Sequence, residues 1–304
     1  MYVTIAKCRG LEVKVPSSCW FSFFNSPYPA HKSSSAIDIY FPDLEALFPA
    51  EEGVVLEVEK FECPRFRRDA DGFDYLTIIR VGDDAVLKIL HVKPKVKPGE
   101  RVSLGDYLGV LWTSGYFSPW SDLHMHIEVR PPDDAKRALG AFELDVSPAV
   151  RLISKPSCIG SLYTVYEDCG CYVWLRPSDC GGFMRCGLAL YADGEAAFVD
   201  GGLPHYGYGA ALNLALPAGF RLVDALGSVV GEVYRGFSCY SLFKALCEVY
   251  VGGLRVRGVG SYFNKPLLKV IKPSSWSFIV GDVVELKFKT DHKSSSRKKK
   301  RVFR

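Results

Sequence analysis

The sequence predicts an all-β protein with two domains, and three observations lead to this prediction. Most apolar segments are short, rich in β-branched and aromatic residues, and bounded by Gly, Pro or Asp, which is typical of strands. The 28 Gly and 18 Pro are spread along the 304 residues, as many short turns would require. Helical periodicity is scarce, and a chain of this length that is 48% hydrophobic can fill two cores.

The first half contains five clear strand segments and two predicted hairpin turns, at Asp71–Gly72 and at Gly82–Asp84. Gly82, Asp83 and Asp84 separate two well-matched segments, which predicts an antiparallel hairpin. Two stretches, Leu44–Leu47 and Tyr240–Val249, are predicted to be helical instead. The predicted strands are Val54–Phe61, Tyr75–Val81, Ala85–Val92, Tyr107–Trp112 and His124–Arg130.

A domain boundary is predicted near residue 152. The polar stretch PPDDAKRALG follows the last strand of the first half, and further apolar segments with tight turns begin after LDVSPAVRLISKPS. We therefore expect an antiparallel sheet or sandwich at 1–151 and a second, cysteine-containing β-domain of unknown role at 152–290. A basic tail at 291–304 completes the chain.

The tail holds the excess positive charge of the protein. The formal net charge is +4, and the tail has seven Lys and Arg against one Asp, so the rest of the chain is close to neutral. We expect this Ser-rich segment to be disordered. Its clustered cations predict either contact with nucleic acid, through release of phosphate counterions, or merely a solvated end.

The sequence predicts neither a membrane span nor an export signal. The most apolar window, residues 209–233, is interrupted by Pro217, Arg221 and Asp224. Residues 1–16 alternate apolar with polar side chains, unlike the apolar core of a signal peptide. We therefore expect a cytoplasmic protein without a membrane partner, and an extracellular location stays open.

Ten cysteines are many for a protein without an export signal. Those of the second half lack the paired C-x2-C spacing of a zinc ribbon. We expect a few structural disulfides there, with the pairing left open, and some small buried thiols. A thermophilic source would fit this pattern, because intracellular disulfides are known from hyperthermophiles.

Four of the six histidines lie in the first domain and form the candidate chemical site. His124 and His126 form an H-x-H pair on a predicted strand, so both imidazoles project from the same face. Asp38 lies within the apolar segment AIDIYF, where a carboxylate is costly to bury unless it meets a cation, a metal or good hydrogen bonds. Imidazole nitrogen and carboxylate oxygen both suit zinc.

The order of these motifs resembles the lysostaphin-type zinc endopeptidases, also called the LytM or duplicated-hybrid-motif family. The resemblance covers residues 20–131 and rests on four landmarks in sequence. These are the His…Asp segment HKSSSAIDIYFP, the strand ending LKILHV, the hairpin pattern V-x2-G-x2-V-x2-G-x2-[IL]-G at 96–109, and the closing HMHIEVR. The resemblance implies a duplicated-hybrid-motif fold for the first domain.

The same resemblance implies a role for each site residue. His31, Asp38 and His126 would bind Zn2+, while His91 and His124 would activate the water and stabilise the transition state. One spacing departs from the family pattern, because the family places its first His four residues before the Asp, where this chain has Ser34. Either the stretch Lys32–Ser35 loops out so that His31 reaches the metal, or the site is a two-ligand remnant.

The leading hypothesis is therefore a zinc metallopeptidase that hydrolyses an amide bond in a peptide or peptidoglycan-like substrate. Aromatic residues just before the H-x-H pair, among them Phe117, are candidates for the wall of a substrate groove. The alternative is a degenerate, non-catalytic relative that acts as a binding or regulatory module. Retention of His91, His124 and His126 favours the enzyme, whereas the displaced first histidine favours the binding module.

Overall fold

The structure, a computed structural model, describes residues 1–153, 160–178 and 186–291. Strands account for 51% and helices for 4% of the structure, which confirms the predicted all-β class. The chain divides into two compact units, the first formed by Met1–Phe23 and Pro27–Leu152 and the second by Phe24–Ser26 and the chain from Ile153 onward. Within the described residues, no helix is both long and apolar enough to cross a membrane.

The first unit is built from short strands with two short helices and one 3-10 turn, Pro132–Asp134. The helices are α1 (Pro29–Lys32) and α2 (Ser147–Arg151). The strands are β1 (Tyr2–Cys8), β2 (Leu11–Pro16), β3 (Trp20–Ser22), β4 (Ile37–Tyr40), β5 (Glu45–Leu47), β6 (Glu52–Glu62), β7 (Phe73–Arg80), β8 (Val86–Leu90), β9 (Val92–Pro94), β10 (Arg101–Ser103), β11 (Tyr107–Leu111) and β12 (Met125–Arg130).

A seven-stranded antiparallel sheet forms the body of the first unit, in the order β10-β6-β7-β8-β12-β4-β3. A three-stranded sheet, β5-β11-β9, and the β1-β2 hairpin complete it. All residues of β12 and β4 are buried, because each strand is covered by neighbours on both sides and on both faces. Any polar side chain on these strands must therefore find its partners inside the protein.

Four of the five strands predicted in the first half agree with the structure to within two residues at each end, and the fifth, predicted at Ala85–Val92, divides at His91 into β8 and β9. His91 has a φ of +66°, and this left-handed conformation turns the chain out of the large sheet into the small one. The predicted hairpin at Gly82–Asp84 joins β7 to β8.

The two predicted helices were wrong. Glu45–Leu47 is strand β5, which pairs with β11, and the preceding Leu44 has a φ of +60° that no helix tolerates. The stretch Tyr240–Val249 is mostly divided between two strands of the second unit, because its apolar residues fill sheet positions on both faces. Apolar runs of this length do not distinguish a buried strand from a helix.

The second unit contains a sheet of thirteen strands among its described residues. These strands are β13 (Leu162–Asp168), β14 (Tyr172–Pro177), β15 (Ala189–Ala192), β16 (Glu195–Leu203), β17 (Tyr208–Leu212), β18 (Arg221–Val223), β19 (Val229–Gly236), β20 (Tyr240–Ala245), β21 (Cys247–Val251), β22 (Leu254–Val256), β23 (Gly258–Tyr262), β24 (Lys265–Ile271) and β25 (Val283–Thr290). Their order in the sheet is β15-β18-β19-β20-β17-β16-β23-β24-β14-β13-β25-β21-β22.

The predicted disulfides receive no support at Cys247, which is a buried free thiol of the second unit. Burial raises the pKa of this thiol to about 12, so it is an inert small side chain in the core. Cys158 and Cys180 lie outside the described residues, as does the tail from His292 onward. Nucleic-acid contact through that tail stays a prediction.

Gly109 is expected to be indispensable to the pairing of β11 with β9. Its φ is +153°, and a Cβ at this position would lie 2.1 Å from the carbonyl oxygen of Lys93. Gly99 also has a positive φ, +89°, but a Cβ there would meet open space. Gly109→Ala should lower the free energy of unfolding by about 3 kcal/mol or more, and Gly99→Ala by only about 1 kcal/mol.

Urea unfolding followed by intrinsic fluorescence measures this difference. The comparison separates the clash at Gly109 from the cost of a left-handed backbone alone, which both variants share. Equal losses of stability in the two variants would contradict the close approach of β11 to β9.

Candidate metal centre

Asp38 and His126 meet because they are cross-strand partners in the centre of the large sheet. β4 pairs antiparallel with β12 in a register that places Asp38 opposite His126. Directly opposed residues have Cβ atoms about 5 Å apart, close enough for their side chains to touch. His126 Nδ1 lies 2.8 Å from Asp38 Oδ1, and both residues are almost completely buried.

His31 reaches the same carboxylate from the connection between β3 and β4. The connection contains the one-turn helix α1, which begins with Pro29 in a position where its missing N–H costs nothing. Backbone hydrogen bonds from Ser34 to His31 and from Ser35 to Ala30 close the turn, and Ser34 adopts a φ of +56°. The loop thus takes up the additional residues between His31 and Asp38, and His31 Nε2 lies 3.2 Å from Asp38 Oδ1.

The three side chains converge with hydrogen-bond acceptors facing one another. His31 Nε2 and His126 Nδ1 are 3.3 Å apart, and the candidate ligand atoms of His31, Asp38 and His126 all lie within 4.8 Å of one another. The other nitrogen of each ring donates to an acceptor outside the cluster: His31 Nδ1 to the carbonyl of Phe23 at 2.7 Å, and His126 Nε2 to Glu128 at 3.2 Å. When the rings are neutral, they present lone pairs toward Asp38, so the cluster can hold a proton or a metal ion at its centre.

Glu128 is itself held by two cations below the cluster. Lys88 Nζ donates to Glu128 Oε1 at 2.9 Å, and Arg130 Nη1 donates to Glu128 Oε2 at 2.5 Å. Lys88, Glu128 and Arg130 are all buried, so these contacts replace the water that the charges lose. Although burial alone would raise the pKa of Glu128, the hydrogen bond from His126 and the charges of His126 and Lys88 lower it to about 2.

The electrostatics of the cluster favour a cation between Asp38 and His126. Burial would raise the pKa of the Asp38 carboxyl, but the charges of His124 and His31 and a hydrogen bond from His126 hold it well below its usual range. Burial would likewise lower the pKa of His126, but the hydrogen bonds to Asp38 and Glu128 outweigh burial and raise it to about 9. Without a metal, the protein therefore retains a proton where a metal could bind.

His124 and His91 lie beside the three candidate ligands. His124 Nδ1 donates to the carbonyl of Asp122 at 2.8 Å, which leaves Nε2 facing the cluster, 3.6 Å from Asp38 Oδ1. Burial lowers the pKa of His124 to about 4 despite the opposing charge of Asp38, so the ring is neutral at pH 7. The His91 ring centroid is 5.3 Å from that of His124 and 6.0 Å from that of His126. All five predicted site residues thus form one group.

The aromatic ring of Phe117 packs on the two more exposed histidines of the group. His91 and His124 are 8% and 7% exposed, whereas His31, Asp38 and His126 are at most 3% exposed, so the first two form the more accessible edge of the group. The ring of Phe117, which the sequence singled out as a groove residue, stacks on His124 at 4.5 Å and meets the edge of His91 at 4.7 Å.

Two residues of this site were not identified from the sequence. Tyr40, two residues after Asp38 on β4, lies 5.2 Å from the His124 ring, and the period-two rule for strands would have placed it on the same face as Asp38. The second residue is Asp74, whose Oδ2 accepts a hydrogen bond from His91 Nδ1 at 2.6 Å. No sequence pattern connects Asp74 to the four histidines, because it lies on β7 outside every landmark.

The pKa of His126 predicts a loss of stability above neutral pH in the metal-free protein. Its folded-state pKa of about 9 lies above the ordinary value of 6.5, so its protonation contributes fully to stability below about pH 6.5. That contribution should be lost as the pH rises from 6.5 through 9. Urea unfolding in EDTA at a series of pH values measures the free energy of unfolding.

His126→Gln should remove this decline, whereas His205→Gln should retain it. His205 is a suitable control because burial lowers its pKa to about 3, so it does not titrate between pH 6.5 and 9. A decline of the same size in His126→Gln would contradict the assignment of the proton to His126.

Comparison with known proteins gives a family but no activity. A search of curated proteins finds no match. Residues 13–146 match the N-terminal domain of a family described as a domain of unknown function, DUF8155, and residues 157–289 match the C-terminal domain of the same family. Because the two matches follow one another and together span most of the chain, the protein belongs to the DUF8155 family.

Proposed function

We propose that the first unit is a zinc-dependent hydrolase that cleaves an amide or peptide bond. One observation carries the proposal: His31, Asp38 and His126 direct three acceptor atoms at one another in a buried cluster, with His91 and His124 at its accessible edge. Structural zinc sites use four protein ligands, whereas catalytic sites use three and leave one position for water or substrate. Three candidate ligands, with two further histidines beside them that are not proposed ligands, fit the catalytic type.

The donor set fits zinc better than the hard cations of protein sites. Two imidazole nitrogens and one carboxylate oxygen are typical zinc ligands, whereas calcium and magnesium prefer oxygen alone. Phe23 and Glu128 fix the ring nitrogens that would not face the metal, as outer partners do in known metal sites. When bound, zinc supplies Lewis acidity that activates water and polarises a carbonyl.

His124 is suited to accept the proton that water loses during hydrolysis. Its Nδ1 is committed to the Asp122 carbonyl, and its Nε2 faces Asp38 with an available lone pair. A neutral imidazole within reach of the reacting water can act as a general base. When both of its nitrogens are protonated, His91 can donate from Nε2 to the oxygen that gains negative charge while its Nδ1–H is held by Asp74.

The expected substrate is a peptide or a peptidoglycan-like chain. The resemblance of residues 20–131 to the lysostaphin-type endopeptidases supports this substrate class.

Zinc stoichiometry tests the proposed ligands. The purified protein, loaded with zinc and dialysed, should contain about one zinc per chain by elemental analysis. His31→Ala and Asp38→Ala should each lower zinc affinity by 100-fold or more, on the order of 3 kcal/mol, because each removes a direct ligand. His124→Gln is the matched control and should retain zinc, because its ring is adjacent to the cluster but is not a proposed ligand.

Hydrolysis is tested with a mixed library of short peptides and with purified peptidoglycan, in water enriched in oxygen-18. New carboxyl termini should carry the label, and His124→Gln should slow their formation by at least about 100-fold while keeping its zinc. A protein that binds zinc but releases no labelled product would contradict the hydrolase and favour the binding module. A protein that binds no zinc would contradict the metal centre itself.

A further inference from the structure

We propose that Asp74 is a positioning residue for His91, which fixes the proton on His91 Nδ1 and leaves Nε2 as the working nitrogen of that ring. This inference rests on the proposed function for its catalytic meaning. It goes further by assigning a role to Asp74, which lies outside the four motifs that resemble the lysostaphin-type endopeptidases and outside the five predicted site residues.

The Asp74 carboxylate accepts hydrogen bonds from three donors. Its Oδ2 accepts from His91 Nδ1 at 2.6 Å and from Ser114 Oγ at 2.7 Å, and its Oδ1 accepts from the backbone N–H of Tyr75 at 2.7 Å. Asp74 is completely buried. A buried carboxylate at a distance of 2.6 Å from an imidazole nitrogen requires a proton between them, so Nδ1 carries it.

Ser114 acts as a donor toward Asp74. The backbone N–H of Tyr116 donates to Ser114 Oγ at 3.2 Å, so the hydroxyl proton of Ser114 remains available for Asp74. Asp74 therefore meets only donors at both of its oxygens. A carboxylate satisfied in this way cannot turn, and it holds the His91 ring in one orientation.

The backbone of His91 is held as firmly as its side chain. A φ of +66° is uncommon for a residue with a Cβ. The backbone N–H of Trp112 donates to the His91 carbonyl at 2.8 Å. An uncommon backbone conformation that the surrounding structure maintains is typical of functional positions, because the geometry matters more there than the local energy.

Asp74→Asn tests the assignment because an amide cannot satisfy all three donors. If its NH2 group faced the backbone N–H of Tyr75, two donors would oppose each other, and the backbone cannot rotate to relieve this. The NH2 group must instead face His91 and Ser114. His91 Nδ1 must then become an acceptor, and the ring proton must move to Nε2, so the variant should contain the opposite tautomer.

The measurement is nitrogen NMR of the histidine side chains in the zinc-loaded, full-length protein at pH 7.5. His91 is assigned by the signals that His91→Gln lacks. In the parent protein, His91 Nδ1 should be protonated, and in Asp74→Asn it should be unprotonated. Ser114→Ala is the matched control and should keep Nδ1 protonated, because Asp74 still accepts from His91 in that variant.

Two results would overturn the proposal. One is an unprotonated His91 Nδ1 in the parent protein, a result that does not depend on whether any variant folds. The other is a folded Asp74→Asn variant that keeps the proton on Nδ1. If the parent protein is an active hydrolase, Asp74→Asn should also lower its kcat about 10- to 100-fold and leave its zinc content unchanged.

Failure of the proposed function gives a different pattern. If the protein hydrolyses neither peptides nor peptidoglycan, yet His91 changes tautomer in Asp74→Asn, the hydrolase is contradicted and the positioning role of Asp74 is supported. If labelled products form but the tautomer does not change, the hydrolase is supported and the positioning role is contradicted.

Discussion

The burial of the Asp38 carboxylate in the middle of the large sheet is the constraint on which the first unit depends. A carboxylate that is 2% exposed loses its hydration and must recover that free energy from partners inside the protein. β12 supplies His126 directly opposite it, and the loop between β3 and β4 returns to supply His31. Pairing of β4 with β12 and assembly of the cluster are therefore a single event, because neither is favourable without the other.

The same requirement continues along β12 beyond the cluster. His126, Glu128 and Arg130 are every second residue of β12, so they lie in a row on one face of this buried strand. Basic and acidic side chains alternate along the row. Lys88 on the neighbouring strand balances the second charge of this row. The row ends where Arg130 donates to Asp134 and to the carbonyl of Leu139, near the surface of the unit. Removing one member would leave a buried charge without its partner, which costs more than the pair contributes.

The sequence was sufficient for features that depend on local spacing. The period of two along a strand predicted that His124 and His126 share a face, and both rings do face Asp38. The β-class and the hairpin at Gly82–Asp84 also follow from local composition. The short helix α1 and the left-handed turn at Ser34 were not foreseen as such, because they are determined by the distance His31 must cover to reach the sheet.

Features that depend on pairing between distant strands could not be read from the sequence. Asp74 approaches His91 because β7 pairs with β8 in a register that places Leu76 opposite Leu90, and that register is not encoded near either residue. The stretch around Tyr240 was misassigned for a related reason. Its apolar residues satisfy a helical spacing, and only the neighbouring strands of the sheet decide in favour of extended backbone.

The outer partners of the four histidines divide them into two chemical pairs. Backbone carbonyls accept from His31 and His124, whereas carboxylates accept from His91 and His126. A carboxylate partner makes an imidazole more basic and supports positive charge on it, and a carbonyl partner does so much less. Of the two histidines at the open edge, His124 thus directs its Nδ1 proton at a carbonyl and its Nε2 toward Asp38, whereas His91 directs its Nδ1 proton at a carboxylate. The proposed hydrolysis would use both, and the antiparallel pairing of β8 with β12 brings them together, because His91 follows the end of β8 where His124 precedes the start of β12.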